Sequence, residues 1–203
     1  MKDLIVLAAD KSTQITLQAA LIRYQSLSIK PISCDFRVHP GKDGGARTSG
    51  PELLAAEHRR FSHGLLVFDL EGSGATTGDP LLLESELDAK LRTVWGDRAK
   101  CVVVAPEVDI WLWGNDSLLG EVFRWPLAVP IRDWLVSSGF EFDSRGKPKR
   151  PKEALEHMVR IHRQPRSSAL YGIVASKISL KHCTDEAFIR LRNQLQAWFG
   201  RNE

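Results

Sequence analysis

Three short apolar runs constrain this chain more than anything else in it. Each is unbroken, and each is followed within a few residues by acids: Leu4 to Ala8 before Asp10, Gly64 to Phe68 before Asp69 and Glu71, and Cys101 to Ala105 before Glu107 and Asp109. A run of this length bounded by turn residues is how a strand buried on both faces of a parallel sheet reads. Helix-like stretches separate the runs and no hairpin signal joins them, so the strands are expected to be parallel and linked by crossover helices. In such an α/β fold, an open, mainly parallel sheet with helices on both faces, the carboxyl ends of the strands share one rim, and ligands bind there. Asp10, Asp69, Glu71 and Glu107 are therefore predicted to gather on that rim. Crowded carboxylates raise one another's pKa unless a cation joins them, which points to a divalent ion.

In the central stretch, His63 to Gly74, Asp69 and Glu71 stand two apart at a strand end, where alternating side chains point the same way. Gly72 and Gly74 let the following loop come close to a ligand. Pro31 to Val38 alternates apolar and polar residues, which places a strand nearer the sheet edge. His39 to Gly50 is rich in glycine and reads as a loop, either a plain connection or a ligand loop presenting His39, Lys42, Asp43, Arg47 and Thr48; the order of a phosphate-binding P-loop is missing. Pro51 is expected to open a helix at its favoured first-turn position. Further helices are predicted from Lys11-Ser-Thr to about Tyr24, from Pro80 to Gly96, from about Val108, and over 131–139, 151–162, 167–176 and 184–199. The division expected is an α/β core over 1–125 and a helical extension over 126–203 packed on it.

Composition supports one soluble domain: 203 residues, 43% hydrophobic and 26% charged, with no apolar stretch near the length a bilayer needs. The start Met-Lys-Asp-Leu-Ile-Val lacks the features of a secretory signal, so a cytoplasmic protein without membrane contact is expected. Cys34, Cys101 and Cys183 are far apart and without zinc-ligand spacing. From Arg145 to Arg166 eight bases face two acids, a local excess of six on a chain of net charge +3, so the remainder is net acidic. Lys147, Lys149, Arg150 and Lys152 are the bases by which this tract would meet a polyanion, unless it is a solvated face.

With these residues in place the chain resembles the TOPRIM family, the Mg²⁺-dependent module of topoisomerases, primases and OLD-type nucleases. Asp10 in Ala9-Asp-Lys-Ser-Thr-Gln14 stands where that family usually has Glu, and Asp69-Leu-Glu71-Gly72 stands for its paired acids. The stretches Val38 to Asp43, Val67 to Gly72, Pro106 to Trp113 and Arg166 to Tyr171 are similar to those of a small TOPRIM-like family encoded in bacterial methylation-associated phage-defence islands. The resemblance implies a metal-dependent phosphodiester nuclease. Asp69, Glu71 and Glu107 would hold one or two Mg²⁺ (or Mn²⁺), and Asp10 would activate water or complete the metal shell. His39, Lys42 and Arg47 would meet phosphate, and the basic tract would follow a nucleic-acid backbone. The alternatives are a non-catalytic subunit of a defence complex, binding nucleic acid or a partner protein, and a nucleotide-binding sensor.

Overall fold

In a computed structural model that describes residues 1–126, 128–161 and 168–201, the apolar runs become the strands of one sheet. Strands β1 (Lys2–Ala8), β2 (Cys34–Val38), β3 (Phe61–Asp69) and β4 (Ala99–Val104) are all parallel, in the order β2-β1-β3-β4. Along β1, β3 and β4 successive side chains enter opposite layers. Leu4, Val6, Leu65, Val67, Val102 and Val104 face one apolar cluster, while Ile5, Leu7, Leu66, Phe68, Cys101 and Val103 face another. Both faces are buried, so no position calls for a polar residue, and the runs in sequence are unbroken for that reason.

Helix α1 (Lys11–Ile22) lies on the first face. Helices α2 (Lys42–Ala55) and α3 (Pro80–Trp95) cover the second, contributing Leu54, Leu83, Leu87, Leu91 and Trp95 to its cluster. After β4 and a 3₁₀ turn at Val108–Trp111 come α4 (Asp116–Val122), α5 (Ile131–Ser137), α6 (Pro151–Ile161), α7 (Ser168–Lys177) and α8 (Glu186–Phe199). The last two complete the first face: α7 packs along α1 and α8 against β4, and the apolar cluster runs without a break from β1 to Phe199. Across that junction the bidentate pair of Arg190 with Glu84 ties α8 to α3.

Three sequence expectations change. The helix expected at Lys11-Ser-Thr is capped one residue earlier, by Asp10, whose Oδ1 accepts the Thr13 N–H at 2.7 Å. The last helix is capped by Asp185, which accepts the Phe188 N–H, and not by Thr184. Most consequential, the glycine-rich segment taken for a loop is the first half of α2. Its glycines serve close approach: a Cβ on Gly50 would lie 2.9 Å from Leu66 of the sheet, and one on Gly45 would lie 2.4 Å from the His39 ring. Pro51 sits inside the helix instead of opening it, leaving the Arg47 carbonyl without its usual N–H partner. Packing against β3 outweighs poor helix propensity here. Arg163, Arg166 and Ser167 lie outside the described residues, as does the expected helix end at His162.

Candidate functional site at the carboxyl rim

With strand order β2-β1-β3-β4, the chain leaves β1 toward one side and β3 toward the other, so the carboxyl ends of β1 and β3 flank the switch point where an open α/β sheet has its crevice. Asp10 follows β1, and Asp69 ends β3 with 8% of its surface exposed. Asp69 is held at both ends. Its N–H donates to Asp43 Oδ1 at 2.9 Å, and its own Oδ1 accepts the Val108 N–H at 2.9 Å, which joins β3 to the turn after β4. Burial, and then the charges of Asp43, Asp10 and Asp109, push the Asp69 carboxyl well above the usual range. Asp43 is also raised, by burial first, with Asp10 a further cause, while the Asp69 N–H works in the opposite direction. Asp10, Asp43 and Asp69 thus form one electrostatic group at the switch point.

A second group flanks it. Glu107 is almost fully enclosed, and burial together with Asp109 lifts its pKa to about 8. Lys152, at the start of α6, opposes that rise: its N–H donates to Glu107 Oε1 at 3.1 Å and its Nζ lies 3.8 Å from Oε2. Asp109 is buried and accepts the Tyr171 hydroxyl at 2.5 Å. Glu71 is exposed, its charge felt at Glu107. Of the predicted acids, Asp10 and Asp69 therefore share the crevice, Glu107 stands beside it carrying a proton at neutral pH, and Glu71 faces solvent.

Two acids of this rim, Asp43 and Asp109, were not among the predicted metal ligands. Asp43 was expected on a loop, as one of the side chains it would present if it were a ligand loop, and not among the metal ligands; as a first-turn residue of α2 it is aimed back at the end of β3. For Asp109 the signal was present, an acid two residues after Glu107 in the segment closing the third apolar run.

The predicted phosphate contacts are placed differently. His39 is 5% exposed, accepts the Gly41 N–H at Nδ1 (3.0 Å) and bonds Ser49 Oγ through Nε2 (3.1 Å). Its ring is a plug for the first turns of α2, with both nitrogens engaged, and burial lowers its pKa. Arg47 donates Nε to the Ser73 carbonyl at 2.7 Å, pinning α2 to the loop after β3. Lys42, at the start of α2, is exposed.

The bases of the tract from Arg145 to Lys152 are engaged within the protein. Lys147 is buried, with Nζ on the Ile110 carbonyl at 2.9 Å; Lys149 pairs with Glu141 at 2.7 Å; the Arg150 guanidinium lies over the Phe140 ring at 5.2 Å; and Lys152 turns to Glu107. Arg145 bridges Asp143 and Asp185. A charge run in sequence has become a set of separate local pairings.

Carboxylate oxygens are the donors that Mg²⁺ and Mn²⁺ take, and Mg²⁺ is commonly held by one or two carboxylates with water and phosphate filling the remaining positions. Asp10, Asp43 and Asp69 each have one oxygen fixed by a backbone N–H, which orients the carboxyl and leaves the other oxygen to a ligand. A closed protein cage is not formed: among the described residues no three His, Cys, Asp or Glu side chains are grouped to hold a metal ion. No helix among the described residues is long and apolar enough to cross a membrane. No family model matches this chain, and neither does any curated protein or solved structure.

Proposed function

We propose that the crevice between β1 and β3 binds a divalent cation together with a phosphate ester, and that the protein is a Mg²⁺-dependent phosphodiesterase. The observation that carries this reading is Asp69: a nearly buried carboxylate whose ionisation is opposed by its burial and by three other acids, at the switch point of a parallel sheet. A cation relieves that opposition, and Lys42, exposed at the start of α2 and next to Asp43 in the chain, offers a positive charge to the phosphate. When bound, the metal supplies Lewis-acid stabilisation of charge developing on the phosphate. The chain's own groups then have distinct tasks. Asp43 and Asp69 orient through their backbone hydrogen bonds and present their remaining oxygens. Glu107, with a pKa of about 8, holds a proton at neutral pH and suits general-acid delivery to a leaving oxygen better than metal binding. The family resemblance adds a nucleic acid as substrate and anti-phage defence as the setting.

The test is cleavage of single- and double-stranded DNA and RNA by the purified protein with Mg²⁺ or Mn²⁺, with EDTA as control. Asp69→Asn keeps the acceptor for Val108 and removes the charge, so it should fold normally and lose about a thousandfold or more in rate. It should also lose any rise in melting temperature that Mn²⁺ gives the unmodified protein. Undiminished cleavage by Asp69→Asn, or a melting temperature of the unmodified protein indifferent to either cation, overturns the reading.

A further inference from the structure

The two edges of the sheet are finished differently. On β4 the outward backbone groups are sealed by side chains: Cys101 N–H by Asp88 at 2.7 Å, Val103 N–H by Glu84 at 2.8 Å, and the Val103 carbonyl by Arg190 at 3.2 Å. On β2 nothing comparable is present among the described residues. Leu4 N–H bonds the Ser33 carbonyl and His39 N–H the Ala8 carbonyl, so in this parallel ladder the odd-numbered residues of β2 address β1. The N–H and C=O groups of Cys34, Phe36 and Val38 therefore point to the open edge. Only the Phe36 carbonyl is approached there, by Arg37 Nη1 at a long 3.4 Å. An open edge of this kind is a template for another strand. It also carries apolar ground on both faces: a groove between β2 and α1 where Ile22 is 77% exposed, and one between β2 and α2 bordered by Leu53 and Val38, which are 46% and 41% exposed.

We propose that a second copy of this chain docks here, β2 against β2 antiparallel about Phe36, making one continuous eight-stranded sheet. The sequence Cys34-Asp-Phe-Arg-Val38 is self-complementary in that register. With Phe36 opposite its own copy, Cys34 faces Val38 of the second chain, and all three outward-pointing residues form hydrogen-bonded pairs. The pairs between them, where side chains come closest, set Asp35 against Arg37 of the other copy and Arg37 against its Asp35. A shift of two residues in either direction loses both ion pairs. On the α1 face the two Phe36 rings and the two Ile22 side chains close over one another. This is the isologous arrangement a two-fold dimer requires. Because the strands are antiparallel, the two carboxylate rims point in opposite directions and each crevice stays complete within one chain, so the dimer stands or falls independently of the phosphodiesterase reading.

The experiment is sedimentation velocity over a wide concentration range, combined with amide exchange. The unmodified protein is expected to shift from 22.8 kDa to twice that mass as concentration rises, with the Cys34, Phe36 and Val38 amides becoming protected. Arg37→Asp sets acid against acid at both pairs and should leave a folded monomer. The charge swap Asp35→Arg/Arg37→Asp restores opposite signs across the axis and should recover the dimer. Phe36→Pro removes an outward N–H while sparing the ladder to β1, and should also give a monomer. A protein that stays monomeric at every concentration overturns the proposal. So does a dimer in which those three amides exchange freely, or one that Arg37→Asp leaves intact.

Discussion

At the carboxyl rim acids face acids, with Lys152 the chief counter-charge, felt at Glu107 and at Asp43; around residues 143–152 every base has an acid, a carbonyl or a ring against it. The two regions differ in what their charges do. The bases from Arg145 to Lys152 serve local structure, whereas the like charges of the rim push the carboxyls of Asp43, Asp69 and Glu107 up, a deficit that a ligand can fill. Burial decides the sign of both effects. Lys147 and Asp69 are both buried, but the Lys147 ammonium is anchored on a carbonyl with Asp143 and Asp185 nearby, while Asp69 has three like charges around it.

If the tract is structural, removing Lys147 should give the largest stability change in it. Lys147→Ala deletes a buried stem and leaves the Ile110 carbonyl without its partner, a loss of about 2–3 kcal/mol. Lys147→Met keeps the stem and should lose roughly half as much, since burial already disfavours the ammonium. Urea unfolding measures both. Equal stability of all three proteins would mean that this base is not part of the core and would return the tract to a ligand-binding role.

The rim makes the opposite prediction, one of stability held back. Glu107 binds its proton more tightly folded than unfolded, so its contribution is fully present below about pH 4.5 and is lost as the pH rises through about 8. Asp69 and Asp43, also raised, act with the same sign. Stability should therefore decline between about pH 4.5 and 8. Glu107→Gln should flatten that decline and exceed the unmodified protein by about 1–3 kcal/mol at the alkaline end. Mg²⁺ should raise the melting temperature more in alkaline than in acid buffer, because it binds the ionised form. Stability of the unmodified protein that rises across this range would show that the rim acids are compensated.

The same contrast explains which parts of the molecule could be read from sequence. Three strands were evident because burial on both faces leaves an unbroken apolar run, and their shared rim followed from the parallel topology; Asp10 and Asp69 were found in that way. The helix that aims Asp43 was hidden because Gly44, Gly45, Gly50 and Pro51 are breakers by propensity, and the closeness of Leu66 and His39 accounts for the glycines within it. His39 and Lys147 were misplaced for a related reason: residue type gives the chemistry of a side chain, but its partners, a Gly41 amide and the Ile110 carbonyl, are fixed by the turn or the tertiary fold. Clustered charges were the least informative feature, because neighbours in sequence leave a loop in different directions.

The smallest effect is expected where the two regions differ most in exposure. Lys149 and Glu141 are both largely in solvent, where water and salt screen the pair and it contributes little to stability. Arg150 over Phe140 adds a surface cation–π contact of similar size. Lys149→Ala/Arg150→Ala should therefore leave the urea midpoint nearly unchanged, and far less affected than in Lys147→Ala. Its bearing on nucleic acid is the sharper measurement. If these two bases neutralised phosphates on duplex DNA, removing them would reduce the slope of log affinity against log salt by about 1.8, at about 0.9 for each contact. Bases already engaged by Glu141 and Phe140 predict a slope that does not change, with binding through the rim depending on Mg²⁺ instead. A slope reduced by the full amount would show that these pairings open for a nucleic acid, and the tract would then share the substrate with the rim.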